Sequence, residues 1–248
     1  MLARNPDLAA VHPLEAEAPD EDAMLLEHAF QSTTPAAFAN VPGYLRWHLA
    51  QDGRAAYRDH ERLLKFVQWQ KRQRGEAVGW WVLKAPQHML HLDLVLEHYP
   101  DALIVQTHRD PLETLPSLAS MAFELQRLAS DAASPRDAAE YALATSRARI
   151  ARASAVRRTL SEDRFVDVWF GDAVADPLAQ VERICALAGV PLPGEVRRAM
   201  LRFVEANRRD RRPSHAYTLE QFGLDADAIR RDFAEYRQTY VLPRTGGA

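Results

Sequence analysis

Residues 80–121 read WWVLKAPQHMLHLDLVLEHYPDALIVQTHRDPLETLPSLASM. The run WWVLKAP is short, apolar and rich in β-formers, and Pro86 stops it. In the next stretch Leu92, Val95, Leu96 and Tyr99 recur at helical spacing, and ALIVQT is a second apolar β-rich run. Strand, helix and strand in that order predict a β-α-β unit within a parallel sheet buried on both faces. Ligands of such sheets gather beyond the C-terminal ends of the strands, which is where Lys84 and the pair His108-Arg109 fall.

Working outward, HRDPLETLPSL opens a helix with Asp110 suited to the N-cap, Pro111 to the first turn and Glu113 to a capping box. Pro116 lies inside that helix and is expected to kink it beside Ser117. Upstream, residues 1–45 are rich in Pro, Ala and acids, with one brief helix expected near 23–30, and an amphipathic helix is expected over about 55–74. Downstream, Ser134-Pro135 opens a long helix to about Leu160, RFVDVWF reads as a third strand, and Asp176-Pro177 starts a helix closed by Gly189. Two more helices are expected near 194–207 and 225–240, with the basic stretch RRDRRPSHAY between them. The 248 residues read as one α/β domain, a parallel sheet flanked by helices with a helical C-terminal part.

Composition restricts the partners. A formal charge of −3 and a pI near 6.3 give no global attraction to nucleic acid or anionic membrane, so an anion site has to be a local basic cluster. No apolar run approaches the roughly 20 residues of a membrane span. A single cysteine, Cys185, in a helical apolar run predicts a packing role and a cytoplasmic setting. Of 31 Lys and Arg only Lys65, Lys71 and Lys84 are lysines, which makes Lys84 conspicuous beside its apolar run. The arginines of the 135–160 helix (Arg147, Arg149, Arg152, Arg157, Arg158) read as a solvated face.

By residue type, Arg109 at a strand end and Ser117 two turns into the next helix can hold an anion, with a forked guanidinium contact, a hydroxyl and the helix start acting together. The same residues also describe an ordinary surface arginine beside a capped helix. The extended pattern decides for the anion. LKAPQHMLHLDLVLEHYPDALIVQTHRDPLETLPSLASM, FVDVWFGDAVADPLAQVERICALAGV and RRPSHAYTLEQFGLDADAIRRDFAEY together resemble the bacterial sulfotransferase family, whose fold is related to that of P-loop NTPases. The resemblance implies transfer of a sulfuryl group from 3′-phosphoadenosine 5′-phosphosulfate to a hydroxyl on a small-molecule acceptor, with no metal expected. It makes Arg109 and Ser117 the ligands of the donor's 3′-phosphate and Arg211 and Arg212 part of a loop closing on it. Pro213-Ser214 stands where that loop commonly has a glycine.

Lys84 is implied to stabilise charge on the sulfuryl group and the leaving phosphate. His88 and His91, three apart on one helix face and one turn past Lys84, could take the acceptor's proton, and the family's cytosolic enzymes place a histidine two residues after the lysine, where this chain has His88 four after. Glu15 and His12 compete for that role, because relatives acting on protein tyrosine use a carboxylate just after the first helix.

The family opens with a strand, a PxxRSGTT-type loop for the 5′-phosphosulfate and a helix ending much like LLARNPDL, whereas this chain begins MLARNPDL. The expectation is a chain without that strand and loop, and with little or no transfer activity by itself. A noncatalytic module that binds 3′-phosphoadenosine nucleotides, or serves as an interaction partner, is the alternative. A P-loop kinase is disfavoured, because no GxxxxGK[ST] loop is present.

Overall fold

The computed structural model describes residues 19–207 and 216–244. Two parallel strands, β1 (Ile104–His108) and β2 (Phe165–Trp169), pair in the register Ile104 to Phe165 through His108 to Trp169. They are joined by two long helices, α6 (Pro111–Ala129) and α7 (Pro135–Arg157), which pack on each other. Before them come α1 (Ala23–Glu27), α2 (Thr34–Phe38), α3 (Pro42–Leu49), α4 (Arg54–Gln73), a 3₁₀ turn at Pro86–Leu90 and α5 (Leu92–His98). After β2 follow α8 (Phe170–Ala175), α9 (Pro177–Leu187), α10 (Gly194–Ala206), α11 (Ala226–Asp232) and α12 (Ala234–Tyr236), the last running into a π turn at Arg237–Val241. The fold is therefore α/β with a parallel sheet and much helix.

The helix starts follow from side-chain chemistry. The carboxylates of Asp110, Asp176 and Asp225 and the hydroxyl of Ser134 each accept from a backbone N–H two or three residues on, satisfying donors that a helix leaves open at its first turn. Glu113 does not close a capping box at α6, since its carboxylate turns to the Arg109 guanidinium. Gly53, the residue before α4, has φ of +74°, and a Cβ on it would lie 2.7 Å from the His91 ring, so two constraints demand glycine there.

The α6 and α7 pair organises the core. Leu115, Ala119, Ala139 and Ala142 meet Phe222, Ile229 and Phe233 of the C-terminal part on one side. Ala122, Leu125, Ala138 and Tyr141 meet Ala36, Ala37 and Leu45 on the other. Small residues at the helix contact let the two backbones approach closely.

Three expectations change. Residues 80–85, read as the first strand, carry no regular secondary structure and join no sheet among the described residues, and Trp80, Trp81 and Val82 are exposed. A β-rich apolar run becomes a strand only where a neighbouring strand takes its backbone groups, and sequence pattern cannot supply that neighbour. Nor is β1 covered on both faces: Val105 and Thr107 are open to solvent. The arginines of α7 do not form one solvated face either. Arg149 and Arg157 are buried, the first donating to Thr33 Oγ1 at 3.1 Å and the second to Asp167. No helix of the described residues is long and apolar enough to cross a membrane.

Candidate functional site

At the C-terminal end of the sheet, His108 closes β1 and is fully buried. Its ring stacks on Tyr240 at 4.2 Å, Nε2 lies 2.8 Å from Asp167 Oδ1 and Nδ1 3.0 Å from the Tyr236 hydroxyl. Burial lowers the His108 pKa, and the hydrogen bond and charge of Asp167 oppose the shift. Arg157 binds both oxygens of Asp167, at 2.6 and 2.8 Å. Burial alone would raise the Asp167 pKa, but the bonds from Arg157 and His108 prevail and lower it. This buried group ties β1, β2, α7 and the C-terminal turn together.

Arg109 follows directly and is half-buried. Its Nε donates to Glu113 Oε2 at 2.7 Å, and its guanidinium lies over the ring of Phe170. Asp110 caps α6 and also receives Arg237 at both carboxylate oxygens. The helix start beside Arg109 is thereby fixed from two directions. Ser117, in the second turn of α6, is half-buried, just after the internal Pro116.

Lys84 lies on the irregular segment before the 3₁₀ turn with its side chain largely exposed, and its ammonium is paired with Glu21. His88, in the 3₁₀ turn, has both ring nitrogens engaged: Nδ1 is 2.8 Å from the Tyr57 hydroxyl and Nε2 is 2.8 Å from Asp22 Oδ2. His60 of α4 reaches the same Asp22 oxygen at 2.8 Å and holds the Tyr99 hydroxyl at 2.8 Å with Nδ1. Burial alone would raise the Asp22 carboxyl, but the hydrogen bonds and charges of His60 and His88 outweigh it and hold the group well below the usual carboxylate range. Burial also pushes the Tyr57 and Tyr99 hydroxyls far up, so both stay protonated.

His88 and His91 do not share a helix face. The 3₁₀ turn ends between them, and His91 packs against Gly53 while His88 turns to Asp22. Glu15, His12, Arg211 and Arg212 lie outside the described residues. Sequence reasoning missed Glu21, Asp22, His60, Tyr57 and Tyr99. They come together only because the chain just before α1 folds across α4 and the 3₁₀ turn, a contact between residues 38 or more positions apart. The acidic cluster PDED at 19–22 was the one local sign.

Comparison with known proteins gives the family and the fold. Residues 2–194 match the profile described as "Sulfotransferase family". The structure is similar to the sulfotransferase STF9 from Mycobacterium avium, with a TM-score of 0.81 and 27% identity over 92% of this chain and 58% of that one. It is also similar to the sulfotransferase STF1 from Mycobacterium tuberculosis H37Rv, with a TM-score of 0.78 and 30% identity over 94% of this chain and 60% of that one. The chain thus spans about three fifths of the length of these two structures. No curated protein matches it in sequence.

Proposed function

The chain belongs to the sulfotransferase family, and from that membership we propose that it serves sulfuryl transfer from 3′-phosphoadenosine 5′-phosphosulfate to a small hydroxyl acceptor in the cytoplasm. The observation that carries this reading is the placing of Arg109: beyond the C-terminal end of β1, at a capped helix start, with its guanidinium over the ring of Phe170. A guanidinium so fixed offers a planar, permanently charged edge to a phosphate without having to be ordered first. Ser117 of the same helix adds a hydroxyl.

In the transfer itself the acceptor oxygen forms a bond to sulfur while the bond from sulfur to the 5′-phosphate oxygen breaks, and the acceptor's proton has to leave. Lys84 faces the negative charge that grows on the departing phosphate oxygen. We assign the proton to Glu21, because it already touches Lys84, whereas both nitrogens of His88 are committed to Asp22 and Tyr57. The products are a sulfate ester and adenosine 3′,5′-bisphosphate.

The test is calorimetry of the chain with adenosine 3′,5′-bisphosphate and, in parallel, ATP. Preference for the bisphosphate, lost in Arg109→Ala, supports the reading. Equal binding of both nucleotides, or none of either, overturns it.

A further inference from the structure

Two imidazoles converge on a single carboxylate oxygen in the N-terminal half of the molecule. His60 comes from the middle of α4, His88 from the 3₁₀ turn and Asp22 from the residue before α1. Each Nε2 is 2.8 Å from Asp22 Oδ2, and the three donor atoms all lie within 4.8 Å of one another. His60 has no exposed side-chain surface, and Asp22 and His88 keep only 9% and 14%, so the group is nearly enclosed with its opening at His88.

Two further features separate it from a chance polar cluster. The second nitrogen of each ring is held by a tyrosine hydroxyl, Tyr99 for His60 and Tyr57 for His88, both at 2.8 Å. That is the outer layer which fixes ring orientation around metal ions in proteins. The other carboxylate oxygen, Asp22 Oδ1, is buried and has no hydrogen-bond partner among the described residues. A buried carboxylate oxygen without a partner is costly, and a cation beside it removes the cost.

We propose that Asp22, His60 and His88 form a binding site for a divalent transition-metal ion of the zinc class, with one carboxylate, two imidazoles and an open position toward His88 for water. The donor set suits such an ion, which takes imidazole nitrogen and carboxylate oxygen at about 2.0–2.2 Å. The present separations are hydrogen-bonding ones, so the carboxylate withdraws by roughly half an ångström to admit the ion. Each ring then gives its Nε2 lone pair to the metal and carries its proton on Nδ1, where the Tyr57 and Tyr99 oxygens accept it. The ion would pin the chain before α1 to α4 and to the 3₁₀ turn, one residue from Glu21 and four from Lys84. This site does not depend on the sulfuryl-transfer reading.

The experiment uses the whole chain, stripped with a chelator and dialysed. Cobalt(II) is titrated in and followed by its visible d–d absorption, and zinc is titrated by calorimetry. We expect one tight site per chain, a rise in thermal midpoint with either ion, and release of cobalt by equimolar zinc. Asp22→Asn and His88→Gln should each weaken binding at least 100-fold, and Tyr57→Phe about 10- to 100-fold. Cys185→Ser should leave stoichiometry and spectrum unchanged. X-ray absorption of the zinc form should give two imidazoles in the coordination shell. Absence of saturable binding by the folded wild-type chain overturns the proposal. So does binding of equal strength in circularly dichroic, folded Asp22→Asn and His88→Gln, because the ion would then be held elsewhere.

Discussion

The guanidinium carbon of Arg109 stands 4.1 Å from the centroid of the Phe170 ring, so the residue that follows β1 and the residue that follows β2 brace each other. A cation drawn over an aromatic face is restrained by that attraction while its outer donors stay available. Among the described residues its one side-chain hydrogen bond goes to Glu113, which is itself exposed and easily displaced.

Arg109→Ala is accordingly expected to weaken adenosine 3′,5′-bisphosphate binding by about 2–4 kcal/mol, the scale for losing one partner of a charge pair withdrawn from water. Arg109→Lys should fall between, since it keeps the charge but loses the planar fork. Ser117→Ala should cost roughly 1 kcal/mol. Calorimetry reads all three, and unchanged affinity in folded Arg109→Ala would remove that residue from the site.

Lys84 and Glu21 should separate by kinetic signature. Lys84→Met is expected to lower turnover more than donor affinity, because its charge counts most as the leaving oxygen becomes negative. Glu21→Gln should reduce turnover by roughly 10²–10⁴-fold, the usual worth of a positioned base. Steady-state rates at varied donor and acceptor concentrations, taken in a form extended upstream by a strand and a phosphosulfate loop, measure both, and equal losses of binding and turnover in Lys84→Met would make it a ground-state ligand.

Asp167 should matter far more to stability than the surface pairs do. It joins Arg157, whose side chain is 7% exposed, to fully buried His108, and removing one partner of such a buried pair costs about 3–5 kcal/mol. Asp167→Ala is expected to lose that much in urea unfolding. Arg158→Ala, which breaks an exposed pair with Glu235, should lose about 0–1 kcal/mol. Similar losses in the two variants would refute the contrast.

His48 gives the molecule an acid-sensitive point. It is buried in α3 against the ring of Tyr44, and neither nitrogen has a hydrogen-bond partner among the described residues. Burial, then the charges of His91, Arg152 and Arg149, lower its pKa to about 4. Since the unfolded value is about 6.5, the unfolded chain binds more protons between these limits. Stability therefore falls as pH drops from about 6.5 toward 4, by roughly 3 kcal/mol over the window. His48→Phe should flatten that slope in thermal melts recorded from pH 7 to 4.5, leaving the smaller part that His91 and His108 contribute, and an unaltered slope would place the sensitivity elsewhere.

The helices were legible where a capping side chain and a proline or glycine marked their limits, as at Asp110-Pro111, Ser134-Pro135 and Asp176-Pro177. Strands were harder. ALIVQT and RFVDVWF found each other, but WWVLKAP did not join them, because a ladder depends on a partner that local composition does not encode. The place of Arg109 after a strand and before a cap was legible, while its reading as an anion ligand rested on the family resemblance. The grouping of Asp22 with His60 and His88 could not, because nothing in the spacing of 22, 60 and 88 announces a shared point in space.

Residues 77–84 make no backbone hydrogen bond to any described residue, and they carry Trp80, Trp81 and Val82 in the open. Peptide groups left in that state are a template for any extended chain that meets them, whether upstream polypeptide, a second copy or a foreign peptide. Handled at high concentration, the protein should self-associate through this margin, with sedimentation that grows with loading and a blue shift of tryptophan emission as the indoles leave water. Glu or Lys in place of Val82, its most exposed apolar side chain, should suppress the association without disturbing the core, because that side chain is 92% exposed.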